Sequence, residues 1–232
     1  MRRQHGDSPV ATMRSHDFAT DVARRDARFV VVSYTFVGSL EALDSSSTAT
    51  HIPASTRVCV LATAAAFQGS LDAIDRVRER IATSGAGIVG LEVIDRRSAN
   101  DPSIVAALAS ADVVVLTDGA ALHARSVWRD SALAMALATS RVIAIGSVGS
   151  VLGDTMIDPR GGAPTTGLGF FSGVVVSVSA GSATSNRTRD LLGDQVIFVE
   201  MGPHSMVTFD GQWRVDSGED LVVTRGSETV LL

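Results

Sequence analysis

The residues best placed to do chemistry lie between Arg141 and Gly169, in RVIAIGSVGSVLGDTMIDPRGGAPTTGLG. Val142-Ile143-Ala144-Ile145 reads as a buried strand. Gly146-Ser147-Val148-Gly149 reads as the turn that follows it, leading into a small-residue segment able to start a helix. A serine at such a strand-to-helix turn is the arrangement of a nucleophile elbow. Glycines clear space around a strained backbone, and the free N–H groups of the new helix face any oxyanion that forms. Ser147 has Gly149 two residues after it but Ile145 two residues before it, so the elbow is present in outline. An ordinary strand–helix turn is the alternative.

A serine hydroxyl needs a base, because it is a weak nucleophile at its own pKa. His123, in a helical stretch, and His204, in a turn after Pro203, are the candidates. Each also reads as an ordinary histidine, one packing or capping a helix and one in a loop. Asp154 and Asp158 are four apart with Arg160 close by. They read as a cap and a salt bridge holding the Asp-Pro-Arg-Gly-Gly turn rather than as an acid pair. His5, His16 and His51 form no spaced set, so no metal and no cofactor are expected.

The elements that must position these residues alternate between strand and helix. Phe29–Tyr34, Arg57–Thr63, Gly87–Ile94 and Ala111–Leu116 read as strands before the Val142 strand. Between them, Leu71, Ile74, Val77 and Ile81 recur at helical spacing after Ser70 and before Gly85. Asp101-Pro102 caps a short helix through Ala109, and Ala121–Trp128 and Ser131–Thr139 read as two more. This order predicts βαβ units and a mostly parallel sheet, with ligands beyond the carboxyl ends of the strands. Thr117-Asp118-Gly119 and Gly146–Ser150 both fall at that edge. The last third, from Val174 onward, breaks into short apolar runs (195–200, 206–209, 212–215 and 221–223) with turn signals such as Asp210-Gly211. It predicts an antiparallel β extension.

The 232 residues suit one α/β domain preceded by a flexible tail at about 1–27, with a serine-rich loop at Asp44–Thr50. A hydrophobic content of 45% supports a sizeable core and excludes a disordered chain. Net charge is -5 and every Lys-or-Arg position is arginine, scattered without a basic face, so nucleic acid is not an expected partner. Cys59 is a lone cysteine inside an apolar run and reads as a small core residue. No run is long enough to span a membrane and no secretory pattern opens the chain. A soluble, cytoplasmic protein without a membrane partner is the expectation.

The chain resembles the cyanophycinase and dipeptidase E-like serine peptidases of the class I glutamine amidotransferase-like fold, in an actinobacterial branch. The matching residues are Val60–Phe67, Leu116–Gly119 with Leu122–Val127, and Leu152–Ala163 leading to Gly167-Leu168-Gly169. Gly211–Val215 is a weaker match. The resemblance covers the chain from about residue 29 and implies a three-layer α/β domain over 28–232: a mostly parallel sheet flanked by helices, with the β extension at the end.

It also implies a serine nucleophile on the elbow, a histidine base, and a backbone oxyanion hole shared with the turn after the preceding strand. Aligned on the strand, Ser147 takes the nucleophile position and Val148 the small residue after it. Aligned on Leu152-Gly153-Asp154, Gly146 takes the nucleophile position instead. The family's histidine follows the strand after Gly-Leu-Gly; here that place reads Val176-Ser177-Val178-Ser179, with Ser179 nearest and no histidine. Asp118 stands where relatives carry glycine, and Gly119 remains as an oxyanion donor.

The expectation is therefore a catalytically impaired serine-peptidase homologue, a pseudoenzyme, that keeps a cleft for a small acidic peptide or an amino-acid derivative. Two alternatives stand beside it. One is a working hydrolase with Ser147 assisted by His123 or His204. The other is a non-catalytic structural or interaction protein, dimeric through its apolar helices or β extension.

Overall fold

A computed structural model describes residues 32–43, 50–178, 183–218 and 220–232. The expected tail, most of the serine-rich loop and Ser179 lie outside the described residues.

Among these residues the main sheet has seven strands, which lie side by side in the order Trp213–Ser217 (β11), Met206–Phe209 (β10), Ser33–Val37 (β1), Arg141–Ile145 (β5), Val113–Leu116 (β4), Arg57–Leu61 (β2) and Gly87–Leu91 (β3). Five are parallel: β1 (Ser33–Val37), β2 (Arg57–Leu61), β3 (Gly87–Leu91), β4 (Val113–Leu116) and β5 (Arg141–Ile145). Their side chains alternate between two cores, as the two-residue period of a strand requires. Val113, Val115, Ile143 and Ile145 face one way, onto Ile74, Val77 and Ile81 of α1 (Ser70–Ile81). Val114, Leu116, Val142 and Ala144 face the other way. There they meet α2 (Pro102–Ser110), α3 (Ala121–Trp128) and α4 (Ala132–Leu137). Burying each of the Val, Leu and Ile side chains contributes roughly 1.5–3 kcal/mol, so apolar strands on both faces specify a sheet covered on both sides. This is the expected three-layer α/β architecture.

Local signals place the helices. Asp101 accepts from the Ser103 N–H at 2.8 Å ahead of Pro102, and Ser131 accepts from Ala134 at 3.2 Å to open α4. Gly85 closes the α1 region with φ 70°. Leu71, expected on the apolar stripe of α1, is 62% exposed; Ala73 is buried instead beside Ile74, Val77 and Ile81. Cys59 is buried on β2, where burial pushes its thiol up to about 11.

The first strand runs Ser33–Val37 rather than ending at Tyr34. The last third is also more divided than expected. The strand β10 (Met206–Phe209) pairs antiparallel with β1, and β11 (Trp213–Ser217) pairs with β10, so both extend the main sheet. A second sheet joins β8 (Val174–Ser177) and β9 (Ile197–Met201) in parallel across α5 (Ala183–Leu192). The strands β12 (Leu221–Arg225) and β13 (Glu228–Thr229) complete it antiparallel. A small hairpin, β6 (Thr155–Ile157) with β7 (Pro164–Thr166), carries the Asp158-Pro159-Arg160 turn. No helix among the described residues is long and apolar enough to cross a membrane.

Candidate functional site

The site forms where β4 and β5 leave the sheet side by side. β4 ends at Leu116 and β5 at Ile145, and the two pair in parallel with Leu116 opposite Ala144. Their exit turns, Asp118-Gly119 and Gly146-Ser147, therefore meet at the carboxyl edge.

Gly119 has φ 144°, and a Cβ there would stand 2.3 Å from the carbonyl oxygen of Ala64 in the 3-10 turn after β2. Glycine is what lets the β4 turn lie against that neighbour. Gly146 has φ 67°, and a Cβ there would stand 2.2 Å from the Asp118 carboxyl carbon. The left-handed position at the strand exit is thus taken by Gly146, and Ser147 is the next residue. A 3-10 helix over Gly146–Val151 follows, and it buries Val148 in the core.

One carboxylate oxygen organises these turns. Asp118 Oδ1 accepts from the Gly119 N–H at 2.7 Å and from the Ser147 N–H at 2.8 Å. The Ser147 hydroxyl lies 2.8 Å from the same oxygen and 2.7 Å from the carbonyl oxygen of Gly119. Both neighbours of the hydroxyl are acceptors, and its single proton serves one of them. Two backbone N–H groups and a serine hydroxyl converging on one oxygen is the geometry that would hold a developing oxyanion. Here Asp118 supplies that oxygen from within the chain.

The other residues singled out from the sequence lie elsewhere. His123 is on α3, its ring 4.6 Å from that of Phe67, which is itself 77% exposed. Its Nε2 is buried and has no hydrogen-bond partner among the described residues. His204 is exposed in the turn before β10; its N–H donates to Asp220 and its carbonyl accepts from Ser217. Among the described residues no hydrogen bond joins either imidazole to Ser147. Asp158 holds its own turn, accepting from the Arg160 N–H at 2.9 Å and from Nε at 3.3 Å.

Beside Ser147 lies a cavity of about 70 Å³, lined by Ser150, Ile157, Pro159, Ser177 and Ser185 among others. That is room for roughly two water molecules. Next to its lining residue Ser177 stands a polar centre that sequence reasoning missed. Glu200, on β9, is 3% exposed and sits in register with Ser177 of β8. Arg189 of α5 donates to Glu200 and to Asn186, and its guanidinium lies 5.5 Å over the Phe198 ring. The Ser177 and Ser185 hydroxyls are 2.9 Å apart. An acid inside the run Ile197-Phe198-Val199-Glu200-Met201 was the available signal, since buried acids are kept only with a partner.

Solved structures place this architecture. A crystal structure of a peptidase from an acI-B1 actinobacterium matches with a TM-score of 0.63 at 16% identity, over 87% of this chain and 97% of that one. A putative peptidase E protein from Listeria monocytogenes EGD-e matches with a TM-score of 0.54 at 11% identity, over 84% of this chain and 98% of that one. A scan of protein families and a search of curated proteins found no match. At these identities the likeness is one of fold: the chain shares the α/β fold of these two proteins.

Proposed function

We propose that this is a peptidase-like domain whose hydrolytic apparatus is impaired and whose open carboxyl edge around the exposed Asp118, rather than the small cavity beside Ser147, serves as the binding cleft. The observation that supports it most is the occupancy of the oxyanion donors. The Gly119 and Ser147 N–H groups both point at Asp118 Oδ1, so a substrate oxyanion would have to displace a carboxylate that is covalently part of the chain. Removing one such donor from a working site costs about 10²–10³ in rate, and here two are engaged. The elbow points the same way. Its strained residue is glycine, and the serine follows one position later.

The ligand class is a small peptide or amino-acid derivative. The exposed Asp118 carboxylate favours one that presents an ammonium or amide N–H over the acidic group suggested by the resemblance, because like charges repel at close range. One rival has a specific observation behind it: the 2.8 Å contact between Ser147 and Asp118 suits a hydrolase in which Asp118 draws the hydroxyl proton. That reaction would still need an oxyanion site that Asp118 itself fills.

The test is fluorophosphonate labelling of folded protein, mapped by mass spectrometry against Ser147→Ala. The expected result is no labelling. Stoichiometric modification of Ser147 would overturn the impaired reading and establish the rival. Thermal shift with lysyl and aspartyl dipeptides tests the ligand class, and greater stabilisation by the aspartyl series would reverse the charge argument.

A further inference from the structure

We propose that Thr166 is a phosphoacceptor whose receptor is already assembled, with Arg125 and Arg129 placed to hold the phosphoryl group. Thr166 ends β7 and is exposed. Arg125 of α3 donates through Nε to the Thr166 carbonyl and through Nη2 to its hydroxyl oxygen, the latter at 2.6 Å. Arg129, one turn further on, donates through Nη1 to the same hydroxyl oxygen at 3.3 Å. Two guanidinium donors use the acceptor capacity of that oxygen and leave its proton directed away from them.

The local charge is unbalanced. Arg96 and Arg129 share one carboxylate, Asp130, at 3.7 and 3.6 Å, and among the described residues Arg125 has none. Three arginines against one acid, in a chain of net charge -5, leave a cationic excess that a neutral hydroxyl does not offset. A phosphoryl group would, since forked guanidinium donors match phosphate oxygens.

The position also couples to the site. Gly167 is wedged against the exit of the 3-10 helix, where a Cβ would stand 2.1 Å from the Gly153 carbonyl oxygen. The helix that carries Arg125 and is followed directly by Arg129 begins at Ala121, two residues after Gly119. A phosphate bridging Thr166 to α3 would tie together the segments that leave β4 and β5.

In the reaction the Thr166 hydroxyl oxygen gives up the longer of its two hydrogen bonds, the 3.3 Å one from Arg129, and with that lone pair attacks the γ-phosphorus of a nucleoside triphosphate held by a separate kinase. The bond from that phosphorus to the β–γ bridging oxygen breaks, the nucleoside diphosphate leaves, and the hydroxyl proton passes to the kinase's base. The product carries about -1.5 to -2 charge at pH 7, with a second pKa near 6.

The first measurement installs phosphothreonine at Thr166 in the full chain by stop-codon suppression and follows it by phosphorus NMR titration and thermal melting. The arginines should lower the second phosphate pKa by about half a unit or more and raise the melting temperature. Both effects should vanish in Arg125→Gln/Arg129→Gln. A phosphate that titrates as in a free peptide, or a shift that survives the double substitution, overturns the proposal. The second measurement maps phosphopeptides from the chain isolated from its own cells. Phosphate on Thr166 supports the assignment, and its absence across growth conditions overturns it. So does stabilisation of the unmodified chain by inorganic phosphate through the same two arginines with no covalent adduct in cells, which would make this a site for the free anion.

Discussion

Two polar centres, one bonded to the cavity residue Ser147 and the other in register with the cavity residue Ser177, are built on opposite plans. At the exits of β4 and β5, Asp118 is exposed and its partners are backbone N–H groups and one hydroxyl. On β9, Glu200 is buried, and its partner is the guanidinium of Arg189, also largely withdrawn from water. Water can replace what Asp118 provides, whereas nothing can replace Glu200 once its surroundings have excluded solvent. The first centre can therefore vary with function at small structural cost, and the second holds α5 against the second sheet.

The largest test of that contrast is Glu200→Ala. It leaves the largely buried Arg189 guanidinium without its carboxylate, and the expected loss is about 3–5 kcal/mol by urea unfolding. A loss below about 1 kcal/mol would place the two centres in the same class. Next is Gly146→Ala. It forces a side chain into φ 67° and against the Asp118 carboxyl at 2.2 Å, and should cost about 2 kcal/mol or more. The collision disappears in Asp118→Gly but the backbone strain does not. A double-mutant cycle should therefore recover part of the loss; full additivity would mean that Asp118 does not contact residue 146 in solution.

Asp118→Gly alone should change stability by less than about 1 kcal/mol, because the released N–H groups are open to water. Its effect belongs in reactivity. With the donors free to hold a phosphonyl oxygen, labelling of Ser147 should rise by about tenfold or more over the parent. Labelling that stays at the parent level would show that the engaged donors do not limit the reactivity of Ser147.

The same contrast explains what was legible in the sequence. Strands such as Val113–Leu116 and Arg141–Ile145 were readable because both faces are apolar. The first strand reads as ending at Tyr34 but continues through Thr35 to Val37. In the sheet the Thr35 hydroxyl meets that of Thr208 at 3.0 Å, so β1 carries a polar residue through the interior. β6 and β7 are three residues each, too short for a period, and α5 is polar along most of its length. At the site, Ser147, Asp118 and Gly119 were each visible as turn residues. Their convergence was not, because 28 residues separate Asp118 from Gly146 and only the pairing of β4 with β5 brings them together.

The smallest effect concerns the lip of the cavity, where Pro159 lies beside Asp158. The Asp158 carboxyl is held below the usual carboxylate range, first by the Arg160 backbone N–H and then by the Arg160 side chain. A lowered folded-state value means that this contribution to stability is present above the unfolded pKa of about 3.9 and is lost as pH falls through the folded one. Arg160→Ala removes the guanidinium but keeps the N–H, so a carbon-detected NMR titration should still find Asp158 titrating below about 3.9. A return to the unfolded value would make the side-chain charge the cause and align this turn with the Arg189–Glu200 centre. A midpoint that stays low groups it with Asp118, where backbone N–H donors hold an exposed carboxylate in place.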